Sequence, residues 1–327
     1  MRAVSPAETV CSGTDRSARP VRPAGRSGRP GQGVGRGRFP SNVSWMPFVL
    51  PGLALFAIFE LYPLLQAVLL SLYSWDGYSP KVFVGAANYL QVFSDRTFWT
   101  SLGHAGLYGV GAVTGKIVLG LGVALLLHRK IKGQSFYRSV VFAPVLMSFV
   151  AVGLLWQLIY SPQQGLFNAL LRAIGFDGDV SWLGDPRVAL WSLVIVDIWK
   201  FTGYHAILFL AGLTLVQPEL EEAAAVDGAG PARRFWHITL PALRPIMTVN
   251  LVIASAGALN TFDLVYVMTG GGPYGVTEVP ISYLYRVGFT IGQLGYASAL
   301  ACVMFVIVAI VTVIILRLQR GDAEEAA

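Results

Sequence analysis

Six stretches of this 327-residue chain stay apolar over the roughly 20 residues that a helix needs to cross the hydrocarbon core of a bilayer. They cover residues 46–74, 104–128, 140–160, 188–213, 246–268 and 296–316, and the last, YASALACVMFVIVAIVTVIIL, holds no charge at all. Inside hydrocarbon every backbone N–H and C=O must be satisfied within the protein, so runs of this length predict helices and exclude an open sheet. Charged residues make up 13% of the chain, about half the share that a water-facing surface needs, which excludes a soluble globular protein. The expected fold class is all-α: a polytopic membrane protein with six transmembrane helices.

A net charge of +6 raises nucleic acid as a partner, but the positions of the basic residues argue for no nucleic acid and for membrane lipid instead. Eight arginines fall within residues 1–44, a stretch so poor in apolar side chains that a disordered, Arg/Gly/Pro-rich tail is expected. Residues 45–320 are expected to form the transmembrane domain and 321–327 a short second tail. The first apolar run is too long for a cleaved signal peptide and is expected to remain as an anchor. Most of the other basic residues sit at the ends of apolar runs. On the side that holds the tail, Arg129, Lys130, Lys132, Arg138, Arg233, Arg234, Arg244, Arg317 and Arg320 bring the total to 17; Lys81, Arg96, Arg172, Arg187 and Arg286 give 5 on the other. Basic residues concentrate on the cytoplasmic side, so both termini are expected there, in a cell membrane. Cys11 and Cys302 are the two cysteines, and neither a disulfide nor a metal site is expected from them. On the outer side Trp75, Phe98, Trp99, Tyr160 and Trp182 are expected to anchor at the headgroup level, and AANYLQVFSDRTFW to form short interfacial helices.

The connection PELEEAAAVDGAGPARRFWHITLPALRP, between the fourth and fifth runs, is too long for a tight turn and too well punctuated for a loose loop. Pro218 suits a first helical position, and Glu219, Glu221 and Glu222 suit the positive end of a helix dipole. Gly228 permits a left-handed cap, Pro231 starts a second helix, and Pro241 and Pro245 break the path into the fifth span. The expectation is a hairpin over residues 217–241 on the cytoplasmic surface, either an interfacial element or a docking knob for a cytoplasmic partner.

Its spacing carries a resemblance. Glu222-Ala223-Ala224, three residues, Gly228, nine residues, and Ile238-Thr239-Leu240-Pro241 match the signature of the permease subunits of binding-protein-dependent ABC importers. Asn260-Thr261-Phe262-Asp263-Leu264-Val265 with Thr269-Gly270-Gly271-Gly272-Pro273, together with Gly85-Ala86-Ala87-Asn88-Tyr89 and Trp182-Leu183-Gly184-Asp185-Pro186, resembles the carbohydrate branch, in particular the maltose- or glycerol-phosphate-type first subunit. The family often has an acidic residue where Ala87 stands, and its pattern leaves the arginine-rich tail unexplained.

The resemblance implies a type I importer permease that pairs with a second homologous permease subunit to enclose a path for a sugar or related polyol. It implies two ATPase subunits docked on the hairpins, with Glu222, Ala223, Ala224, Gly228, Ile238, Leu240 and Pro241 forming this chain's coupling contact, and an extracytoplasmic solute-binding protein. ATP and Mg would then sit on the ATPase, with no cofactor on this chain. Consistent with that division, the nearest approach to a phosphate-binding loop, Gly109 to Ile117, lacks the first Gly and the Ser/Thr, and Gly111 and Gly115 fit a helix-contact face better. No catalytic constellation is recognisable, and the chain is not expected to be an enzyme.

Glu60, Lys116, Asp197, Lys200 and Asp263 fall within the spans, where a lone charge costs several kcal/mol, so each is expected to face the bundle or a wet cavity. Asp197 and Lys200 are three apart on one helix face and are expected to pair. Asn260, Thr261 and Asp263 offer acceptors to a hydroxyl-rich solute in the span that the resemblance makes pore-lining, Asn260 and Asp263 sharing a helical face. Gly203 and Tyr204 match a family position beside the path. The alternative function is an ion-coupled secondary transporter with a relay of Asp197, Lys200 and Asp263.

Overall fold

The computed structural model describes residues 46–129, 132–176 and 178–324; the expected tail 1–44, Lys130 and the last three residues lie outside the described residues. The chain divides into a short N-terminal unit ending at Ala54 and a main unit from Leu55 onward. The elements in order are α1 (Met46–Phe56), a wide helical turn (Ala57–Leu61), α2 (Tyr62–Leu70), β1 (Tyr73–Ser74), β2 (Val82–Phe83), α3 (Ala87–Ser94), α4 (Arg96–His128), α5 (Gln134–Leu146), α6 (Phe149–Ile159), α7 (Leu166–Ala173) and α8 (Ala189–Leu213). They continue with α9 (Pro218–Val226), α10 (Pro231–Arg234), a second wide turn (Phe235–Thr239), α11 (Leu240–Ala242), α12 (Arg244–Leu259), α13 (Asp263–Met268), α14 (Pro280–Tyr285), a third wide turn (Arg286–Thr290) and α15 (Leu294–Glu324). Four helices, Val49–Leu70, Arg96–His128, Ala189–Leu213 and Leu294–Arg317, are long and apolar enough to cross a membrane singly, and two bent pairs bring the number to six.

The centre of the main unit is the pairing of α4 with α8. Glycines make it close: a methyl group at Gly111 would sit 2.8 Å from the Trp191 ring, one at Gly120 would sit 2.9 Å from the His205 Cβ, and one at Gly115 would overlap Ile198. Gly111 and Gly115 therefore serve helix contact, as their spacing predicts. Helix α8 is buried over 56% of its apolar window against 17% for the last span, which fits its position between α4, α5 and α12. Around this pair, Tyr108, Leu193, Tyr160, Trp156 and Val265 form one apolar cluster, and Ala124, Phe209, Leu213 and Leu243 form another toward the hairpin end.

The third span is expected as one helix over 140–160 but is two, α5 and α6, bent by 98°. Pro144 lies in the last turn of α5, and Met147 and Ser148 are extended. The Ser148 hydroxyl then caps α6 by accepting from the Ala151 N–H at 3.2 Å. This break frees carbonyls at membrane depth, and Lys200 of α8 takes them up: its Nζ donates to Pro144 O at 3.2 Å, Val145 O at 3.4 Å and Met147 O at 2.5 Å. The expected Asp197–Lys200 pair is therefore absent. Position three along a helix places two side chains on one face, but the carbonyls of α5 and a cation on α4 are nearer partners.

The fifth span is also broken. Asn260 ends α12, its side-chain amide donating to Ala256 O at 2.9 Å, and Phe262 is non-helical before α13 begins at Asp263. Asn and Thr side chains compete with the helical ladder, so Asn260 and Asp263 do not share one helical face as expected. The second halves of both broken spans meet: Gln157 of α6 donates to Val267 O and Met268 O at 2.9 and 3.2 Å.

Between the first and second spans the expected short helix is present as α3. Asn88 donates to Ser71 O at 2.7 Å and Tyr73 O at 3.0 Å, which ties α3 to the end of the first span. Phe98 and Tyr160 are 0% and 1% exposed, and Trp182 stacks on Tyr160 at 5.6 Å while donating to Asn168, so these three belong to the packed interior rather than to headgroup anchors. Asp95 caps α4 through the N–H groups of Thr97 and Phe98. Burial alone would raise its pKa, but hydroxyls of Tyr283 and Tyr296 donating to the same carboxylate, with the two capping N–H groups, outweigh it and hold the group below its ordinary value. Glu60 lies exposed in the first wide turn and does not face the bundle as expected.

If Lys200 holds the bend of the third span, replacing it with Met strips buried carbonyls of their donor. Lys200→Met is expected to lower stability by about 1–3 kcal/mol, with Lys200→Arg recovering part of the loss. Thermal denaturation of the full chain in detergent measures this, and a Lys200→Met variant as stable as the parent would remove Lys200 from that role.

Candidate functional site

Both helix breaks open on one cavity of about 300 Å³. Val145 and Phe149 flank the first break, Asn260, Thr261, Phe262 and Asp263 form the second, and α4, α8 and α12 supply the remaining wall through Lys116, Asp197, Phe201, Tyr204, His205, Ile253, Ala254 and Gly257. Four of the five sequence-expected path residues, Tyr204, Asn260, Thr261 and Asp263, are thus brought together. Gly203 is not with them: it packs on α5, where an added methyl would overlap the Val141 carbonyl oxygen, and its role is close helix approach.

The wall is organised by a buried ion pair that sequence reasoning missed. Lys116 Nζ of α4 lies 2.8 Å from Asp197 Oδ2 of α8, with the two side chains 3% and 8% exposed. Burial of two charges is tolerated when they pair closely, and Lys116 also sits 5.6 Å from the Phe201 ring centre. One turn along α8 from Phe201, a His205 ring nitrogen meets Asn250 Oδ1 of α12 at 2.8 Å, so the imidazole N–H is the donor there. Thr261 reaches back across the cavity edge to donate to the Tyr108 hydroxyl of α4 at 3.4 Å. The signal for Lys116 was present in the sequence as a lone cation in an apolar run, but the partner, 81 positions away, follows only from the packing of α4 on α8.

Asp263 is exposed at the start of α13 and forms no ion pair among the described residues. Neither Lys116 nor Lys200 is free to neutralise it. The relay of Asp197, Lys200 and Asp263 that an ion-coupled carrier would use gains no support from this geometry: Asp197 is held by Lys116 and Lys200 by backbone carbonyls. What the cavity offers is a mixed surface of aromatic rings, an amide, a hydroxyl and one unengaged carboxylate, suited to a solute with both hydroxyl groups and apolar ring faces.

The hairpin is the second candidate region. Helix α9 starts at Pro218 with Glu219 and Glu221 in its first turn, and it ends in two backbone bonds that close a glycine cap: Gly228 N–H to Ala225 O at 3.1 Å and Ala229 N–H to Ala224 O at 2.9 Å. Gly228 has φ +80°, a left-handed conformation that a β-branched residue resists. The returning arm is clasped to α9 where the Thr239 hydroxyl donates to Glu221 Oε1 at 2.8 Å and Arg234 donates to Glu221 O at 3.4 Å. Glu222 and Ala223 are exposed while Ala224, Ile238, Leu240 and Pro241 are half-buried, so the signature divides between an outward face and the seam of the hairpin. At buried Leu243 the arm Pro231–Ala242 turns by 69° into α12, the helix whose far end is the cavity break.

Residues 116–321 match the model of the family described as "Binding-protein-dependent transport system inner membrane component". The chain belongs to this family: it is a multi-pass membrane component of a transport system. Among its relatives, the probable ABC transporter permease protein YurN of Bacillus subtilis strain 168 is 37% identical over 282 residues, covering 85% of this chain and 96% of that protein. The trehalose/maltose transport system permease protein MalF of Thermococcus litoralis is 37% identical over 273 residues, covering 83% of this chain and 92% of that protein. Among solved structures, the bacterial alginate ABC transporter in complex with an alginate pentasaccharide-bound periplasmic protein has a chain that superposes with a TM-score of 0.75 at 24% identity, over 85% of this chain and 94% of that one, a likeness of fold.

The ion pair has a sharp thermodynamic signature. Asp197→Leu alone leaves a buried ammonium and is expected to cost about 3–5 kcal/mol, as is Lys116→Met alone. The double variant removes both charges and is expected to recover most of that loss. A double-mutant cycle by thermal denaturation checks it, and additive losses would show that the two side chains act independently.

Proposed function

We propose that this chain is one of two permease subunits of an ATP-driven importer and forms half of a transmembrane path for a sugar or related polyol. An extracytoplasmic binding protein delivers the solute, and an ATPase subunit docks on the exposed face of α9 around Glu222 and Ala223, its twin docking on the second permease. The observation that carries this reading is the hairpin: the family signature is folded as a capped, clasped lever whose arm runs through Leu243 into α12 and so to the cavity at Asn260–Asp263. Movement of the hairpin by a closing ATPase would shift α12 and the break it ends in. The names of relatives support a saccharide as cargo, as does a cavity wall of aromatic and hydroxyl-binding groups.

In this reading the termini and residues 129–138 and 217–245 are cytoplasmic, and 75–103, 161–187 and 269–292 lie outside. Tyr78 and Tyr274 are 98% and 95% exposed. In a background with Cys11 and Cys302 replaced by Ala, Tyr78→Cys and Tyr274→Cys should react with an impermeant thiol reagent in intact cells. Reaction only after permeabilisation would invert the topology.

Gly228→Val forces a β-branched residue into a left-handed turn, and Glu222→Lys places a cation near a helix start and reverses a docking charge. Both variants are expected to insert normally yet to abolish uptake, with the ATPase lost on purification or no longer stimulated by loaded binding protein. Wild-type uptake by both would remove the docking assignment. Asp263→Ala is expected to reduce uptake while leaving assembly and basal ATP hydrolysis intact, because no buried cation depends on it. Failure of the ATPase to co-purify with Asp263→Ala would count against a solute contact.

A further inference from the structure

His205 of α8 stands in the cavity wall, and the direction of its hydrogen bonds is fixed by a residue outside that wall. Its Nδ1 meets Oδ1 of Asn250 on α12 at 2.8 Å, and the Asn250 amide nitrogen donates to Ile246 O, one turn back along α12, at 3.0 Å. An imidazole nitrogen donates or accepts according to its tautomer, and an amide turned over exchanges its donor for its acceptor. Ile246 O decides both choices, because a carbonyl only accepts. The Asn250 nitrogen must face it, Oδ1 must then face His205, and the ring proton must sit on Nδ1. Asn250 is 0% exposed, so water offers it no second arrangement.

In a neutral ring this leaves Nε2 as a bare acceptor. A second proton on the ring would add a cation within the spans, where Asp197, the carboxylate on the same helix, is already paired with Lys116. Nε2 has no hydrogen-bond partner among the described residues, yet it is not sealed: the buried side-chain nitrogens and oxygens there without a partner are Trp156 Nε1 and Arg234 Nε. Although His205 as a whole is 2% exposed, Nε2 therefore keeps contact with open space, and the open space that His205 borders is the cavity. Other polar groups of the wall are committed within the protein, the Asn260 amide to Ala256 O and the Thr261 hydroxyl to Tyr108. Nε2 joins the Asp263 carboxylate as an acceptor that no protein group engages.

We propose that His205 Nε2 accepts a hydrogen bond from a hydroxyl of the solute, with Asn250 as the positioning residue that keeps the ring in its accepting tautomer. The proposal rests on the sugar-or-polyol reading of the cavity and deepens it. An imidazole in this tautomer rewards an O–H donor and gives no bond to a solute whose oxygens are all alkylated. A ring in the other tautomer would present N–H to the cavity and reverse that preference. Tyr204 stands edge-on to the same ring, with centres 5.5 Å apart, so the ring is held on both sides of its bond to Asn250.

The test is nitrogen NMR of the full-length chain in lipid nanodiscs, with isotope-labelled histidine. The chain has four histidines, and the His205 signals are assigned by their loss in His205→Phe. The parent should show a protonated Nδ1 and a bare Nε2. Glucose, maltose or sorbitol should move the Nε2 signal upfield by several parts per million, and a fully O-methylated methyl glucoside, which has no O–H, should leave it in place. Saturation transfer to the same solutes measures binding separately. Asn250→Leu should let part of the proton move to Nε2 and weaken sugar binding about threefold to tenfold, the worth of one hydrogen bond. His205→Gln, whose side-chain carbonyl still accepts, should bind sugar more tightly than His205→Phe. A bare Nδ1 in the parent, or an Nε2 signal that stays in place while a sugar gives saturation transfer, overturns the proposal and leaves the sugar-path reading standing. An equal shift with the O-methylated glucoside overturns it too, and Asn250→Leu with the proton still wholly on Nδ1 removes Asn250 from its positioning role. If no sugar in the set gives saturation transfer, the sugar-path reading falls and this proposal falls with it.

Discussion

A backbone carbonyl freed in hydrocarbon must find a donor, and at the bend that opens on the cavity one lysine supplies it. The bend between α5 and α6 is fastened by Lys200, whose ammonium collects three carbonyls at the C-terminal, negative end of α5. A charge that would be a burden in an apolar helix becomes the fastening of a break, with the Phe149 ring 4.8 Å away completing its surroundings. The break moves Val145 and Phe149 to the cavity wall, where a continuous helix would have carried them past it. Lys116 and Asp197 do complementary work one step further in, fixing α4 against α8 at the level where the wall is polar.

The same α4–α8 pair links the cavity to the hairpin end. Phe209 and Leu213 of α8, Ala124 of α4 and Leu243 at the hairpin elbow share one apolar cluster, so the elbow is seated on the fixed pair. In the proposed importer the hairpin acts as a lever, which needs a stiff arm and a held pivot. The glycine cap, the Glu221–Thr239 clasp and the buried elbow meet those conditions with local bonds, while the face bearing Glu222 and Ala223 stays free. At the opposite end of α12 the chain unwinds at Asn260 to Phe262, at the cavity wall. Hairpin, elbow and break therefore lie in one unbroken stretch of chain from α9 to α13.

Much of this was legible before any coordinates. Apolar length alone sets the six runs, because a helix that must satisfy its own backbone needs a fixed number of residues to cross the slab. The hairpin was readable for a different reason: Pro218, Gly228 and Pro231 act through local backbone geometry, which sequence encodes directly. Asn260, Thr261 and Asp263 were identified as polar residues in an apolar run, and they do reach the cavity. The face argument that joined them assumed a continuous helix, and it failed because Asn260 and Thr261 themselves help to end that helix.

What sequence could not decide was which distant groups meet. Asp197 and Lys200 are three apart, so local spacing proposed their pairing; α4 and α5 bring a cation and a set of carbonyls closer, and tertiary contact overrides the local choice. Gly203 looked like a path residue and is a contact surface, since only the approach of α5 tells the two apart. Phe98 and Tyr160 looked like interfacial anchors and are core, because an aromatic residue near a span end has the same sequence signature in either setting. The sequence by itself determined the class of fold, the number of runs and the hairpin, all of which follow from length, local propensity and short-range geometry. The cavity and its ion pair were decided only by the tertiary structure, because each is made by side chains whose proximity depends on how helices far apart in sequence pack and where they break.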